Sequence, residues 1–183
     1  MPKTLVIPKV NGWDSVNNEF VEIESETITI EHSLISLQRW ESKWHIPYMS
    51  TEQKTPEQVI DYIQCMTMSK VKDPRIFMYI PEGIMQEIAD YISNPMTATT
   101  FNDNLPGASK FRKEVITAEI IYYWMIALNI PESFKKWHLN QLLTLIKVCE
   151  LKQEKPKKMP RNALVNRNRA LNAARKARLN THG

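Results

Sequence analysis

The C-terminal segment carries most of the side chains that could do chemistry, because positive charge is concentrated there. Residues 152–183 hold ten Lys and Arg and one acid, a net +9, whereas residues 1–151 hold 14 Lys and Arg against 19 Asp and Glu, a net −5. A basic tail on an acidic body predicts an arm that contacts a partner. The candidate contacts are six cations and two leucines: Arg161, Leu164, Arg167, Arg169, Leu171, Arg175, Lys176 and Arg178.

Three interpretations of this basic arm are open on the sequence alone. In the first, an acidic or amphipathic helix of a partner protein binds the arm and orders it. In the second, its cations neutralise nucleic-acid phosphates, although the arm lacks an aromatic residue on which a base could stack. In the third, the arm is a solvated tail that raises solubility. We favour the protein partner, and the high helix propensity of Ala and Arg predicts a helix.

Residue types that common enzymes use are present, but they are not arranged in catalytic motifs. The four glycines never cluster, so the sequence lacks the loop that cradles phosphates in nucleotide-binding folds. The four histidines stand singly in the sequence. Cys65 and Cys149 lie in apolar surroundings, which predicts buried, reduced thiols rather than metal ligands. We therefore predict a protein that is not an enzyme and that binds no cofactor and no metal.

The hydrophobic periodicity changes near residue 32 and divides the chain into four parts. Alternating β-branched residues predict a small antiparallel hairpin or three-stranded sheet over residues 1–32. Helical periodicity predicts a domain over residues 33–151 that packs on this β element. Pro and Lys predict a linker over residues 152–160, followed by the basic arm of residues 161–183. The expected fold class is α+β, mainly α, with a basic C-terminal helix.

Local signals predict where turns and helices begin. Ser33 and Thr55 are predicted helix N-caps, the second followed by proline and by Gln58 at capping-box spacing. A further helix is predicted from about residue 81 to residue 93. Turns are expected at Asn11-Gly12 and Asn17-Asn18, which tolerate left-handed backbone angles. The segment "MTATTF" predicts a short strand, and "NDNLPGAS" predicts a loop.

The most apolar segment is "ITAEIIYYWMIALNIPESFKKWHLNQLLTLIKVC", residues 116–149. A membrane span needs about 20 consecutive apolar residues, and charged residues and a proline interrupt this segment before that length. Residues 115–128 are apolar on nearly every face, which predicts a helix buried all round, packed against an amphipathic helix. We expect Trp124→Ala to leave little soluble protein. The predicted contacts join Ile120, Trp124 and Leu128 to Leu142, Leu145 and Ile146.

Several motifs together resemble a protein family encoded in the structural modules of tailed phages and prophages. They are "EHSLISLQRWESKWHIPYMS", "VIDYIQCMTM", "PMTATTF", the apolar segment of residues 116–149 and "NRNRALNAARKARLNTHG", and the similarity covers nearly the whole chain. Members of this family are usually described as tail assembly chaperones. The resemblance implies a helical adaptor that binds the tape-measure protein of a long tail and keeps it soluble while tail-tube subunits assemble around it.

The resemblance also implies a place of action and leaves alternatives. The N-terminal "MPKTLVIPKV" lacks the apolar segment and cleavage site of a signal peptide, as expected of a factor in the host cytoplasm during phage assembly. A structural virion protein of the neck or tail is the alternative, in which case the protein resides in the virion. A nucleic-acid-binding accessory protein is a third interpretation. For the tail assembly chaperone, the expected partners are the tape-measure protein, tail-tube subunits and further copies of this chain. No association with a membrane is expected.

Overall fold

The computed structural model describes residues 1–14, 18–101, 115–153 and 161–179, without the side chains of positions 14, 161, 163 and 164. The fold is α+β and mainly α, as predicted. The strands are β1 (Lys3–Ile7), β2 (Val10–Asp14), β3 (Glu19–Ile23) and β4 (Glu26–Ile30). The helices are α1 (Leu34–Trp44), α2 (Pro56–Met66), α3 (Glu82–Ser93), α4 (Ala118–Ala127), α5 (Leu139–Gln153) and α6 (Arg161–Leu179), with 3-10 helices at Pro74–Tyr79 and Glu132–Lys136.

The four strands form one long antiparallel hairpin. A single register runs from Lys3 opposite Ile30 to Asp14 opposite Glu19, with β1 paired to β4 and β2 paired to β3. The ladder is interrupted at Pro8, which has no amide hydrogen to donate. The hairpin form predicted for residues 1–32 is therefore correct. The turn predicted at Asn11-Gly12 is wrong, because both residues lie within β2.

The hairpin changes its buried side where its ladder is interrupted. Val21 and Ile23 are buried in β3, whereas Ile28 and Ile30 are buried in β4. Successive side chains point to opposite faces of a strand. The buried residues have odd numbers in β3 and even numbers in β4, so opposite faces of the hairpin are buried in its two halves. Asn18 closes the described end of the hairpin with a φ of 58°, as the turn chemistry predicted. Position 17 lies outside the described residues.

Both predicted helix starts are confirmed in atomic detail. The Ser33 hydroxyl accepts a hydrogen bond from the Ser36 amide, and the Ser36 hydroxyl oxygen accepts one from the Ser33 amide, forming a capping box. Thr55 and Gln58 form the same reciprocal arrangement at the start of α2, which has proline in its first turn. Such caps satisfy amides that the helix itself leaves without partners. The helix predicted from about residue 81 is α3.

Two hydrophobic clusters share α1. Trp40 of α1 belongs to the first cluster, which joins the hairpin, α2, the first 3-10 helix and α3. Leu34 and Leu37 of α1 belong to the second, which joins α4 and α5. Helix α1 therefore lies between the β-containing half and the α4–α5 pair. The chain divides into two compact units, Met1–Glu150 and Leu151–Gly183, and both clusters lie in the first.

The structure corrects the interpretation of the apolar segment. Helix α4 is not buried all round, because Tyr123 is 67% and Ile126 is 76% exposed. Its buried residues are Ala118, Ile121 and Met125, so the predicted inner face is rotated by about one residue from the observed one. Trp124 is only partly buried at the edge of the second cluster. The face is narrow because, among the described residues, α4 packs on its neighbours mainly through one side.

Of the partners predicted for α4, Leu142 and Ile146 are buried in α5, but Leu145 is half-buried. A 3-10 helix, Glu132–Lys136, precedes α5, so the second long helix begins later than expected. Residues 96–101 form no strand, so the strand predicted for "MTATTF" is wrong. Cys65 and Cys149 are free thiols, as predicted, but both are half-buried. The predicted loop at 102–109 and the linker beyond Gln153 lie outside the described residues.

Candidate partner-binding surface

Helix α6 is a cationic helix whose described side chains are exposed. It contains six Lys and Arg, no Asp or Glu, and no aromatic residue over Arg161–Leu179. Every side chain described in it lies open to solvent, including Leu171, which is 47% exposed. Ala and Arg favour the helical state, and Lys176 and Arg178 lie in the last turn, where cations interact favourably with the helix dipole. None of the apolar side chains described in this helix is therefore buried.

The register of α6 divides the predicted contacts into two groups. At 3.6 residues per turn, Arg167 and Arg175 lie about 40° on either side of Leu171, and Arg178 lies about 20° from it. Arg169 and Lys176 lie about 140–160° away, on the far side of the helix. The helix therefore places one leucine at the centre of an arc of cations. We call this set, Arg167, Leu171, Arg175 and Arg178, the leucine–arginine face.

Two of the predicted contacts, at positions 161 and 164, have side chains that are not among those the structure describes. Backbone register places position 164 about 20° from Leu171, in line with the leucine–arginine face. Position 161 lies about 80° from the same line, at the edge of the arc. The predicted set of eight therefore does not form a single surface. The helix brings five of the positions to one side and leaves Arg169, Lys176 and position 161 away from it.

A buried network of polar side chains is the second feature whose residue types could do chemistry. It was not predicted from the sequence. The Tyr62 hydroxyl lies 2.7 Å from His32 Nδ1, and the imidazoles of His32 and His138 have centroids 5.1 Å apart. His138 Nε2 lies 3.1 Å from the Tyr91 carbonyl oxygen. The Tyr91 hydroxyl donates to Glu31 Oε1 at 2.8 Å. All five residues are buried. No local spacing signals this network, because its members come from distant parts of the sequence.

Burial decides the protonation states in this network. Burial, and then the neighbouring His138, lower the pKa of His32 to about 3, so its ring is neutral near pH 7. Burial also lowers the pKa of His138 and raises that of Tyr62. The protonated Tyr62 phenol therefore donates to His32 Nδ1. His138 donates from Nε2 to the Tyr91 carbonyl, which leaves its buried Nδ1 with no hydrogen-bond partner among the described residues.

The network fastens the two hydrophobic clusters together. The Leu139 amide donates to the His32 carbonyl at 2.7 Å, and Ser33 pairs with His138 in an isolated antiparallel bridge. His32 follows the hairpin, and His138 precedes α5, so these bonds join the first cluster to the second. Among the residues that the structure describes, no group of three or more His, Cys, Asp and Glu could hold a metal ion. The arrangement suits a structural joint between elements.

Two surface clefts border α4. One, of about 320 Å³, includes Glu41, His45 and Glu119 in its lining. Glu41 has a structural role there, because its carboxylate accepts hydrogen bonds from the backbone amides of Tyr48 and Ala118, each at 2.8 Å. The other, of about 250 Å³, is mainly apolar, with walls from α4 and α5. No helix in the described part of the chain is long and apolar enough to cross a bilayer.

Comparison with protein families, with curated proteins and with solved structures gave no match to this chain.

Proposed function

We propose that this protein is a non-enzymatic tail assembly chaperone of a tailed phage, which binds the tape-measure protein during long-tail morphogenesis. The observation that carries the proposal is α6: an exposed, acid-free helix with Leu171 set among cations. An exposed leucine inside a cationic arc suits contact with another protein chain. The resemblance of the sequence motifs to phage structural modules supplies the identity of that chain.

The proposal gives different roles to the acidic body and the basic arm. The body of residues 1–151 has a net charge of −5 and contains both hydrophobic clusters, so we expect it to fold without the arm. The arm of residues 152–183 has a net charge of +9. In the host cytoplasm, α6 would hold the client by many weak contacts, which dissociate readily when tail-tube subunits cover it. Exposed ion pairs of this kind contribute little each, about 0.2–1 kcal/mol, as transient binding requires.

Co-expression with the tape-measure protein tests the proposal. We expect the full-length protein to co-purify with the tape-measure protein, and a variant lacking residues 155–183 to lose it. The same deletion should leave the melting temperature of the body unchanged, because the core residues of both clusters lie before residue 150. Loss of the client from a variant that still melts normally assigns the binding to the arm. Truncated protein that supports full phage titre would refute the role of the arm.

Mass spectrometry of purified virions separates a chaperone from a structural protein of the neck or tail. A chaperone is released during assembly, so peptides from this chain should be absent from finished particles. Stoichiometric presence would instead establish the virion component. Measuring the affinity for nucleic acid at increasing salt concentration tests the nucleic-acid alternative. The logarithm of the binding constant for phosphate contacts falls linearly and steeply with the logarithm of the salt concentration.

A further inference from the structure

The arrangement of charges around α6 specifies the chemistry of its partner. We infer that the leucine–arginine face binds an acidic amphipathic α-helix, one whose apolar stripe is flanked on both sides by carboxylates. This inference rests on the proposed function only in taking α6 as the binding element. It adds which side of the helix is used and what kind of surface that side recognises.

The first argument is charge complementarity. Six cations and no acid occupy Arg161–Leu179, so the helix carries an excess of positive charge. Arg175 and Arg178 lie three residues apart on the same side, where like charges repel each other. A partner that places carboxylates against them relieves this repulsion and forms charge-assisted hydrogen bonds. The partner is therefore acidic.

The second argument is the position of the exposed leucine. Leu171 is 47% exposed, and Arg175 and Arg178 lie on either side of it at about 40° and about 20°. A phosphate backbone gains nothing from a leucine at the centre of its contacts. A helix gains by burying that leucine under its own apolar stripe, because neighbouring helices approach to about 8–10 Å. The combination favours a protein helix over a nucleic acid.

Paired variants with equal loss of charge test the side of the helix that is used. Arg175→Gln with Arg178→Gln removes two cations beside Leu171, whereas Arg169→Gln with Lys176→Gln removes two on the far side. Each pair is made in the full-length chain, and circular dichroism verifies that both retain the helix. The probes are a synthetic helical peptide of Leu and Glu in heptads and a mixed-sequence DNA duplex.

We expect the first pair to raise the dissociation constant for the acidic peptide at least about tenfold, and the second pair to change it by less than about threefold. Leu171→Ser should weaken peptide binding by a similar factor to the first pair and leave duplex binding unchanged. Equal weakening by both pairs would overturn the inference, as would tighter binding of the duplex than of the peptide. An unchanged affinity in Leu171→Ser would overturn it as well.

The two proposals fail in different ways. If the peptide binds with the expected preference for one face but the tape-measure protein does not co-purify, the partner class stands and the chaperone function falls. If the tape-measure protein co-purifies and both charge pairs weaken it equally, the chaperone function stands and the leucine–arginine face is wrong. Co-purification measured on the same four proteins decides between these results.

Discussion

Single buried side chains determine how the body responds to acid. His32 and His138 lie with ring centroids 5.1 Å apart in the interior, where two imidazolium ions could not both be accommodated. The ionisable groups around the pair are Tyr48, Tyr62, Tyr91, Glu31 and the N-terminal ammonium, which lies 3.8 Å from Glu31 Oε2. Burial holds the phenols of Tyr62 and Tyr91 in their neutral, donating state. Because burial also lowers the pKa of both histidines, the folded body resists their protonation in mildly acidic solution, whereas the unfolded chain does not.

We predict that the free energy of unfolding falls as the pH is lowered through the ordinary pKa of histidine. The folded pKa of His32 is about 3 against an ordinary value of 6.5, so between these values the unfolded chain binds a proton that the folded chain does not. The free energy of unfolding should then fall by about 1.4 kcal/mol per pH unit for each such histidine. Urea unfolding between about pH 7.5 and about pH 5.5 measures this slope, which is greatest where the unfolded histidine is fully protonated.

His45→Asn is the matched control for the pH experiment. His45 is exposed and ends α1 with a φ of 55°, a conformation that asparagine tolerates. This variant should keep the full pH dependence, whereas His32→Gln should reduce it. Proton resonances of the His32 ring in the native protein should not titrate above about pH 5. A native His32 that titrates near pH 6.5 would contradict the prediction without the need for any variant.

Two tryptophans should respond differently to truncation. Trp40 has no exposed surface and donates from Nε1 to the Gln58 carbonyl at 2.9 Å, whereas Trp124 is only partly buried. Trp40→Ala should cost about 3–5 kcal/mol of unfolding free energy, a large part of the about 5–15 kcal/mol that a domain usually has. Trp124→Ala should cost at least about 1 kcal/mol less. Equal losses in denaturant unfolding would mean that Trp124 is as essential to the core as the sequence suggested.

At the scale of elements, the hairpin is tied to the first 3-10 helix through a glycine. A Cβ at position 12 would lie 2.5 Å from Tyr79 Cε1, and the Tyr79 hydroxyl donates to the Trp13 carbonyl at 3.4 Å. Gly12 is required here by close approach to an aromatic ring. The opposite face of the hairpin presents Trp13 and Phe20 as an exposed cross-strand pair, with centroids 5.5 Å apart.

We predict that Gly12→Ala destabilises the body and Gly83→Ala does not. The added methyl at position 12 forces Tyr79 to move, and such overpacking costs about 1–3 kcal/mol. A Cβ at Gly83 meets nothing within 4 Å, and that residue lies in the first turn of α3, where alanine is favoured over glycine by up to about 1 kcal/mol. Thermal unfolding should therefore move in opposite directions in the two variants. A stabilised Gly12→Ala would show that Tyr79 is not fixed against β2.

Some of these elements could be predicted from the sequence, and the physical reason is locality. The caps at Ser33 and Thr55 were predictable because a capping box involves only four consecutive residues. The exposed side of α4 was not, because a helix that is apolar all round gives no periodicity from which to choose its inner face. The network between His32 and His138 was also missed, since it depends on how distant segments meet. In α6 the sequence identified the cations, but helical register was needed to separate Arg169 from the leucine–arginine face.

At the scale of the whole molecule, the net charge of +4 is the sum of two opposed parts. The unit Met1–Glu150 contains both hydrophobic clusters, while α6 exposes every described side chain of its length. The proposed binding helix therefore lies outside the part of the chain that contains the hydrophobic clusters. Substitutions in α6 should change affinity with little effect on the folding of the body, which makes the arm suitable for the paired-charge experiment.

The hydrogen bond from the Leu139 amide to the His32 carbonyl has a consequence for native-state hydrogen exchange. It joins the two clusters at 2.7 Å, and the Glu31 amide, one residue earlier, donates to the Met66 carbonyl inside the first cluster at 2.9 Å. If the clusters open only together, deuterium should enter both amides at the same slow rate, set by global unfolding. The amides of α6 should exchange far sooner. A Leu139 amide that exchanges orders of magnitude faster than that of Glu31 would mean that α4 and α5 detach as a separate unit while the hairpin remains folded.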